Sequence, residues 1–154
     1  MKLQPGQLIE NKYRIARQNG EGGLGAVYEA TNTLIGRRVA TKVLHTAAAE
    51  KPGVKRRFER EAHAAAQFGS AHIVDVLDRG RLPTEQPFMV MEFLEGEDLE
   101  QHIKSQQRLS LIQASRIVLQ VLEELAHAHD ASIVHRDIKP PNIFLTRSKT
   151  GGLD

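Results

Sequence analysis

The chain of 154 residues contains neither cysteine nor tryptophan, and aromatic residues make up only 5% of it. Without cysteine there is no disulfide framework and no thiolate metal site, which is typical of a reducing compartment. No apolar run approaches the roughly 18 residues that a membrane-spanning helix needs, and residues 1–7 lack the apolar segment of a signal peptide. These absences predict a cytoplasmic protein with no membrane segment in this chain.

Neither sign of charge dominates, because 21 Lys and Arg residues face 19 Asp and Glu residues, for a formal net charge of +2. So small an excess gives no reason to expect a nucleic-acid partner. The densest basic run, residues 51–60, contains Glu59 and is followed by Glu61, a pattern typical of a solvated helix face. With 40% hydrophobic residues, the composition indicates an ordinary globular domain.

The most informative stretch is residues 133–145, which reads I-V-H-R-D-I-K-P-P-N-I-F-L. Asp137 offers a carboxylate that can accept a proton, Lys139 a cation that can neutralise negative charge, and Asn142 an oxygen ligand for a hard metal ion. A polar turn before a strand would explain any one of them, but not the whole spaced set. The stretch matches H-R-D-x-x-x-x-N and therefore resembles the catalytic loop of protein kinases.

This resemblance implies that Asp137 and Lys139 are catalytic and that Asn142 binds Mg²⁺. Lys139 in D-I-K-P-P-N resembles the serine/threonine kinases rather than the tyrosine kinases or small-molecule phosphotransferases, and phrases such as G-E-G-G-L-G resemble the bacterial type. The implied activity is transfer of the ATP γ-phosphate to Ser or Thr hydroxyls of protein substrates, with ATP and Mg²⁺ as cofactors. His135 is expected to support the loop rather than to act as a base.

A glycine-rich segment, residues 20–27, reads G-E-G-G-L-G-A-V and lies within the strand-like region 8–46. A dinucleotide-binding fold would continue with a helix after Gly25, whereas A-V-Y-E-A-T continues as a strand. An ordinary glycine-rich turn is a second alternative. By the kinase resemblance, the loop covers the nucleotide phosphates with its backbone amides. The nucleotide-binding residues so implied are Gly20, Glu21, Gly22, Gly23, Gly25 and Val27.

The next strand, residues 37–44, reads R-R-V-A-T-K-V-L. Alternation along a strand places Ala40 and Lys42 on one face, and Val39, Thr41 and Val43 on the other. The stretch resembles the V-A-I-K strand of kinases, with Thr41 in the Ile position. The resemblance implies that Lys42 pairs with the α- and β-phosphates while Ala40 lies against the adenine.

A helix is predicted over residues 52–68, with an inward stripe of apolar residues at helical spacing. Glu61 borders this stripe and Glu59 faces away. By resemblance to the αC helix, Glu61 pairs with Lys42. The predicted stripe comprises Phe58, Ala62, Ala65 and Ala66.

Two more strands are predicted over residues 73–80 and 87–93, and P-F-M-V-M-E-F-L-E-G resembles the segment that joins the two kinase lobes. The resemblance implies that Met91 is the gatekeeper beside the adenine and that the backbones of Glu92 and Leu94 bond its polar edge. A plain buried edge strand running into a turn is the alternative.

The resemblance implies two more nucleotide-binding residues, Asp98 and Phe144, later in the chain. Asp98 falls near the position that contacts the ribose, and Phe144, in a short strand predicted over 143–145, closes the adenine pocket from below. Between them, Ser110 is predicted to cap a long helix. The inward face of that helix is predicted to carry Ala114, Val118, Val121, Leu122, Leu125 and His129.

The predicted fold class is α+β and protein kinase-like, over residues 13–154, with a small lobe at about 8–93 and the start of a large lobe at about 97–154. The resemblance runs to Leu145, and the D-F-G motif, the activation loop and the A-P-E motif are not found after it. Asp154 is left without a role. We therefore expect a C-terminally truncated kinase domain, or alternatively a nucleotide-binding or scaffolding fragment without catalysis.

Overall fold

The computed structural model describes residues 2–67, 72–130 and 134–146, without the side chains of Glu61 and of residues 64–67. The chain forms two compact units, Met1–Phe93 and Leu94–Asp154. The first is mostly β-sheet and the second contains the longest helix, so the predicted α+β class is confirmed. In the described part of the chain, no helix is both long and apolar enough to cross a membrane.

The first unit is built on a six-stranded antiparallel sheet with the order β1-β2-β3-β4-β6-β5. Its strands are β1 Leu8–Ile9, β2 Tyr13–Glu21, β3 Gly25–Asn32, β4 Arg37–Leu44, β5 Val76–Arg81 and β6 Pro87–Glu92. Helices α1, Thr46–Ala49, and α2, Pro52–Gln67, lie between β4 and β5 in the chain. The predicted end of α2, Phe68, lies outside the described residues.

The sheet buries apolar residues on both faces, and α2 packs on one of them. On β4, Val39, Thr41 and Val43 are buried, whereas Ala40 and Lys42 are half-buried, as strand alternation predicts. On the second face, Leu44 and Met89 pack against Phe58 and Ala62 of α2. The main core on the first face comprises Leu3, Ile9, Tyr13, Ile15, Ala26, Tyr28, Ala30, Val39, Val43, Leu82, Phe88 and Val90.

The second unit combines a two-stranded sheet with helices. The strands are β7, Gly96–Asp98, and β8, Phe144–Thr146, which pair antiparallel with Asp98 opposite Phe144. Helix α3, Leu99–Gln106, follows β7 directly, and a 3₁₀ turn, Pro140–Asn142, precedes β8. The longest helix is α4, Leu111–Asp130.

Helix α4 begins where the sequence predicts, and its inward face is partly the predicted one: Ala114, Val121 and Leu125 are half-buried, but His129 is exposed. The hydroxyl of Ser110 accepts a hydrogen bond from the backbone N–H of Gln113 at 3.2 Å, which confirms the predicted cap. Val118 and Leu122, expected to face inward, are 54% and 55% exposed. Apolar residues lie on most sides of this helix, so their spacing alone does not determine which face is buried. The exposed large residues on it are Leu111, Ile112, Val118, Leu119 and Leu122.

Candidate functional site

The glycine-rich segment forms the hairpin between β2 and β3. Glu21 pairs with Ala26 in the ladder, and the Gly22 N–H donates to the Gly25 carbonyl at 2.9 Å. Since β3 begins at Gly25, a strand follows the glycines where a dinucleotide-binding fold would have a helix. The observed arrangement excludes that alternative.

The glycines of this hairpin lie in two different surroundings, one closely packed and the other open. A Cβ on Gly25 would collide with the backbone carbonyl oxygen of Val43, so close packing against β4 requires glycine there. A Cβ on Gly20 or Gly23 would meet nothing within 4 Å, and one on Gly22 only the Gly25 oxygen at 4.0 Å. All three glycines are exposed, so a ligand can approach the loop backbone without meeting a side chain, although the Gly22 N–H is already engaged by the Gly25 carbonyl.

The sheet register brings four predicted nucleotide residues onto one face. Lys42 of β4 lies opposite Val27 of β3 and Met89 of β6, and Ala40 lies opposite Met91. Directly opposed residues of antiparallel strands point to the same face. An amine is therefore surrounded by apolar side chains, an arrangement that suits the phosphate and the ring of a nucleotide.

Lys42 faces helix α2. Its Nζ lies 6.0 Å from the ring centroid of Phe58. Glu61 lies three residues further along α2, but its side chain lies outside the described residues, so the Lys42–Glu61 pair stays a prediction. Glu59 lies 3.6 Å from the guanidinium of Arg81, on β5, consistent with the expectation that it faces away from Lys42.

The end of β6 is fixed by two hydrogen bonds between Glu92 and Asp75. The Glu92 N–H donates to the Asp75 carbonyl at 3.0 Å, and the Glu92 carboxylate accepts from the Asp75 N–H at 2.9 Å. The N–H of Glu92 is therefore engaged within the chain. Leu94 is the first residue of the second unit.

In the second unit, Lys139 and Asn142 both contact the carboxylate of Asp137. Asp137 Oδ2 lies 3.1 Å from Lys139 Nζ and accepts from Asn142 Nδ2 at 2.9 Å. The same amide nitrogen donates to the Asp137 carbonyl at 2.8 Å. The three residues identified by their spacing thus form one polar cluster.

The turn that forms this cluster follows from its prolines. Pro140 and Pro141 have fixed φ angles, and the Asn142 N–H donates to the Lys139 carbonyl at 2.9 Å, closing the 3₁₀ turn. His135 Nδ1 accepts from the Asp137 N–H at 3.2 Å, which gives His135 the supporting role expected of it. Arg136 of the H-R-D motif has a φ of +64°, in the left-handed region, a conformation that the motif alone does not indicate.

The donor set of Asn142 suits a magnesium ion. Both hydrogens of its amide nitrogen are directed at Asp137, and the side-chain oxygen Oδ1 therefore points to the other side of the amide group. An uncharged oxygen beside a carboxylate is a ligand that Mg²⁺ accepts. Asn142 can therefore offer one of the oxygen ligands that Mg²⁺ needs.

Asp98 and Phe144 are cross-strand neighbours in the second unit. Asp98 is also the N-cap of α3, and its Oδ1 accepts from the Gln101 N–H at 2.8 Å. This cap was missed, although an aspartate before L-E-Q-H-I is a recognisable signal for it. Phe144 is 40% exposed whereas Leu145, on the opposite face of β8, is buried.

Comparisons with known proteins agree with this geometry. The model of the protein kinase domain family matches residues 13–152. The probable serine/threonine-protein kinase pknA2 of Bifidobacterium longum is 43% identical over 145 residues, covering 92% of this chain and 19% of that protein. The probable serine/threonine-protein kinase PknB of Corynebacterium glutamicum is 38% identical over 149 residues, covering 95% and 23%.

Among solved structures, the PknI kinase domain of Mycobacterium tuberculosis superposes with a TM-score of 0.85 at 31% identity, covering 99% of this chain and 61% of that one. The chain spans about a fifth of the length of the curated relatives it matches. The matched family model, these relatives and the fold agree, and the chain belongs to the protein kinase domain family.

Proposed function

We propose that the chain is part of a bacterial-type serine/threonine protein kinase that transfers the γ-phosphate of ATP to Ser or Thr hydroxyls of protein substrates in the cytoplasm, where ATP is supplied. The observation that supports this most is the contact of Lys139 and Asn142 with the Asp137 carboxylate, at 3.1 and 2.9 Å. A carboxylate, a cation and an amide oxygen are the groups that phosphoryl transfer requires from a protein.

Asp137 is the group proposed to take the proton. As the hydroxyl oxygen of the substrate bonds to the γ-phosphorus, the bond from that phosphorus to the bridging oxygen of ADP breaks, and the hydroxyl proton passes to the Asp137 carboxylate. Asn142 orients Asp137 through one hydrogen bond to its carboxylate and one to its backbone carbonyl. The Lys139 ammonium neutralises negative charge on the transferring phosphate.

Asn142 is the residue of this chain that would hold Mg²⁺, through Oδ1. When bound, the ion supplies positive charge that neutralises the nucleotide phosphates. The amide is held for this purpose by its own hydrogen bonds to Asp137, which keep its nitrogen away from the metal side.

The first unit is proposed to bind the nucleotide. The open space beside Gly20, Gly22 and Gly23 supports close approach of the phosphates to this loop, with Lys42 on the α- and β-phosphates. Val27 and Ala40, which share a face with Lys42, would lie against the adenine. The remaining proposed nucleotide contacts are Glu21, Gly25, Glu61, Met91 and Glu92 of the first unit, and Leu94, Asp98 and Phe144 of the second.

The proposal is tested by comparing the 154-residue chain with Asp137→Asn. In both proteins the unfolding midpoint with Mg-ATP and the transfer of labelled phosphate to a Ser/Thr peptide library are measured. At 100 times the dissociation constant, ATP adds about 2.7 kcal/mol of stability, enough to raise the midpoint by several degrees. We expect both proteins to show this shift, and Asp137→Asn to lose about 100-fold or more in transfer rate.

Asp130→Asn is the matched control, because Asp130 is an exposed aspartate at the end of α4 and is expected to leave transfer unchanged. A midpoint shift without transfer in the wild type would favour a nucleotide-binding module instead. Transfer that survives in Asp137→Asn would contradict the assigned role of Asp137.

A further inference from the structure

His45 contacts the glycine-rich hairpin at two points. It is the residue after β4 and the N-cap of α1. Its backbone N–H donates to the Leu24 carbonyl at 3.0 Å, and its ring Nε2 lies 3.1 Å from the Gly22 carbonyl oxygen. A carbonyl oxygen can only accept, so Nε2 carries the hydrogen of this bond. One residue thus binds both ends of the tripeptide 22–24.

Side chains around His45 add to this contact. Glu21 Oε1 lies 3.8 Å from His45 Nε2. The other carboxylate oxygen of Glu21 accepts from Lys2 Nζ at 2.6 Å and from Gln18 Nε2 at 3.0 Å. Polar groups from the N-terminal segment, from β2 and from the end of β4 therefore meet at the base of the loop.

The loop depends on such bonds because it has few side chains of its own. Gly22 and Gly23 cannot pack, and Leu24 is 49% exposed. His45, by contrast, follows Leu44, which is buried against Phe58 of α2. His45 therefore connects a loop that lacks packing to a part of the core that is well packed.

We propose that His45 is a positioning residue that holds the glycine-rich loop in place for the phosphates of the nucleotide, an inference that rests on the proposed function. In this proposal His45 acts through the loop and not by contact with the nucleotide. A loop that is already ordered loses less conformational entropy when it binds. Because the loop acts on phosphates, loss of the tether weakens ATP binding and leaves adenosine binding unchanged.

The test measures the dissociation constants of Mg-ATP and of adenosine by calorimetry for the 154-residue chain and its variants. In His45→Ala we expect ATP to bind about fivefold more weakly, the effect of one lost hydrogen bond, with adenosine unchanged. His45→Gln should restore ATP affinity because its amide N–H can reach Gly22. His127→Ala, an exposed histidine of α4, is the matched control and should match the wild type.

His45→Asn keeps an amide that is too short to reach Gly22, so it provides a second loss variant if His45→Ala fails to fold. Folding is checked by the unfolding midpoint without ligand. This inference, but not the proposed function, would be overturned if folded His45→Ala or His45→Asn bound ATP as tightly as the wild type. An equal loss of affinity for ATP and for adenosine would overturn it as well. A wild type that binds no ATP would overturn the proposed function and this inference with it.

Discussion

At the scale of single residues, Thr41 is the one whose chemistry fits its surroundings least. Its side chain is fully buried, and its Oγ1 has no hydrogen-bond partner among the described residues. A buried hydroxyl without a partner costs roughly 1 to 3 kcal/mol. Thr41 lies opposite Tyr28 and Val90, on the core face of β4 and away from Lys42.

Thr41→Val should therefore stabilise the chain, by about 1 kcal/mol, because valine fills the same space without the buried hydroxyl. Urea unfolding followed by circular dichroism measures the difference. Thr33→Val is the control, since the exposed Thr33 hydroxyl donates to the Lys12 carbonyl at 3.1 Å and its removal should bring no gain. A less stable Thr41→Val would mean that the hydroxyl is hydrogen-bonded after all.

The residue types of the cluster around Asp137 could be recognised from sequence, but their contacts could not. The spacing of Asp137, Lys139 and Asn142 identifies the set, because the chemistry needs all three. That Asn142 donates twice to Asp137 depends on the 3₁₀ turn at the two prolines, which the spacing does not specify. No sequence pattern indicates the contact between His45 and Gly22, because the two residues are 23 apart and follow the ends of different strands, β4 and β2.

At the scale of elements, packing requires one glycine of the β2–β3 hairpin, Gly25, but not Gly20, Gly22 or Gly23. A Cβ on Gly25 would collide with backbone atoms of Val43 and approach Leu44, and a backbone cannot move aside as a flexible side chain can. Strand alternation and turn-forming glycines were enough to predict this hairpin. The face that α4 buries was predicted only in part, because apolar residues lie on most of its sides.

Gly25→Ala should destabilise the chain by about 1 to 3 kcal/mol, the usual effect of forcing an extra methyl into packed surroundings. Gly20→Ala, whose methyl would meet nothing within 4 Å, is the matched control and should leave stability nearly unchanged. Urea midpoints of the two variants give the comparison. Equal midpoints would mean that β3 and β4 separate easily enough to admit a side chain.

At the scale of the whole molecule, a contact between distant strands closes the sheet of the first unit. Asp78 lies on β5, the last strand in the sheet order. It accepts a hydrogen bond at 2.6 Å from Oη of Tyr13, the first residue of β2, and one at 2.7 Å from Nζ of Lys12, the residue before it. The partners are 65 and 66 residues apart in sequence. No local pattern predicts this contact, because it depends on how the whole sheet curls.

Asp78 should make the stability of the chain depend on pH. Burial raises the pKa of its carboxyl, but hydrogen bonds from Lys12 and Tyr13 outweigh this and hold the pKa below its ordinary value. A carboxyl whose pKa is lowered by folding stabilises the fold above its unfolded pKa, about 3.9, and loses that contribution as pH falls further. The contribution is thus present at pH 7 and lost in acid.

Asp78→Asn is therefore expected to lower the free energy of unfolding at pH 7 by about 1 to 2 kcal/mol, because charge-assisted hydrogen bonds become neutral ones. Its difference from the wild type should shrink as pH falls below about 4, where the wild-type carboxyl is itself protonated. Urea unfolding across this range provides the measurement, with the largely exposed Glu85→Gln as the control. A difference that stays constant with pH would show that Asp78 closes the sheet through its shape rather than its charge.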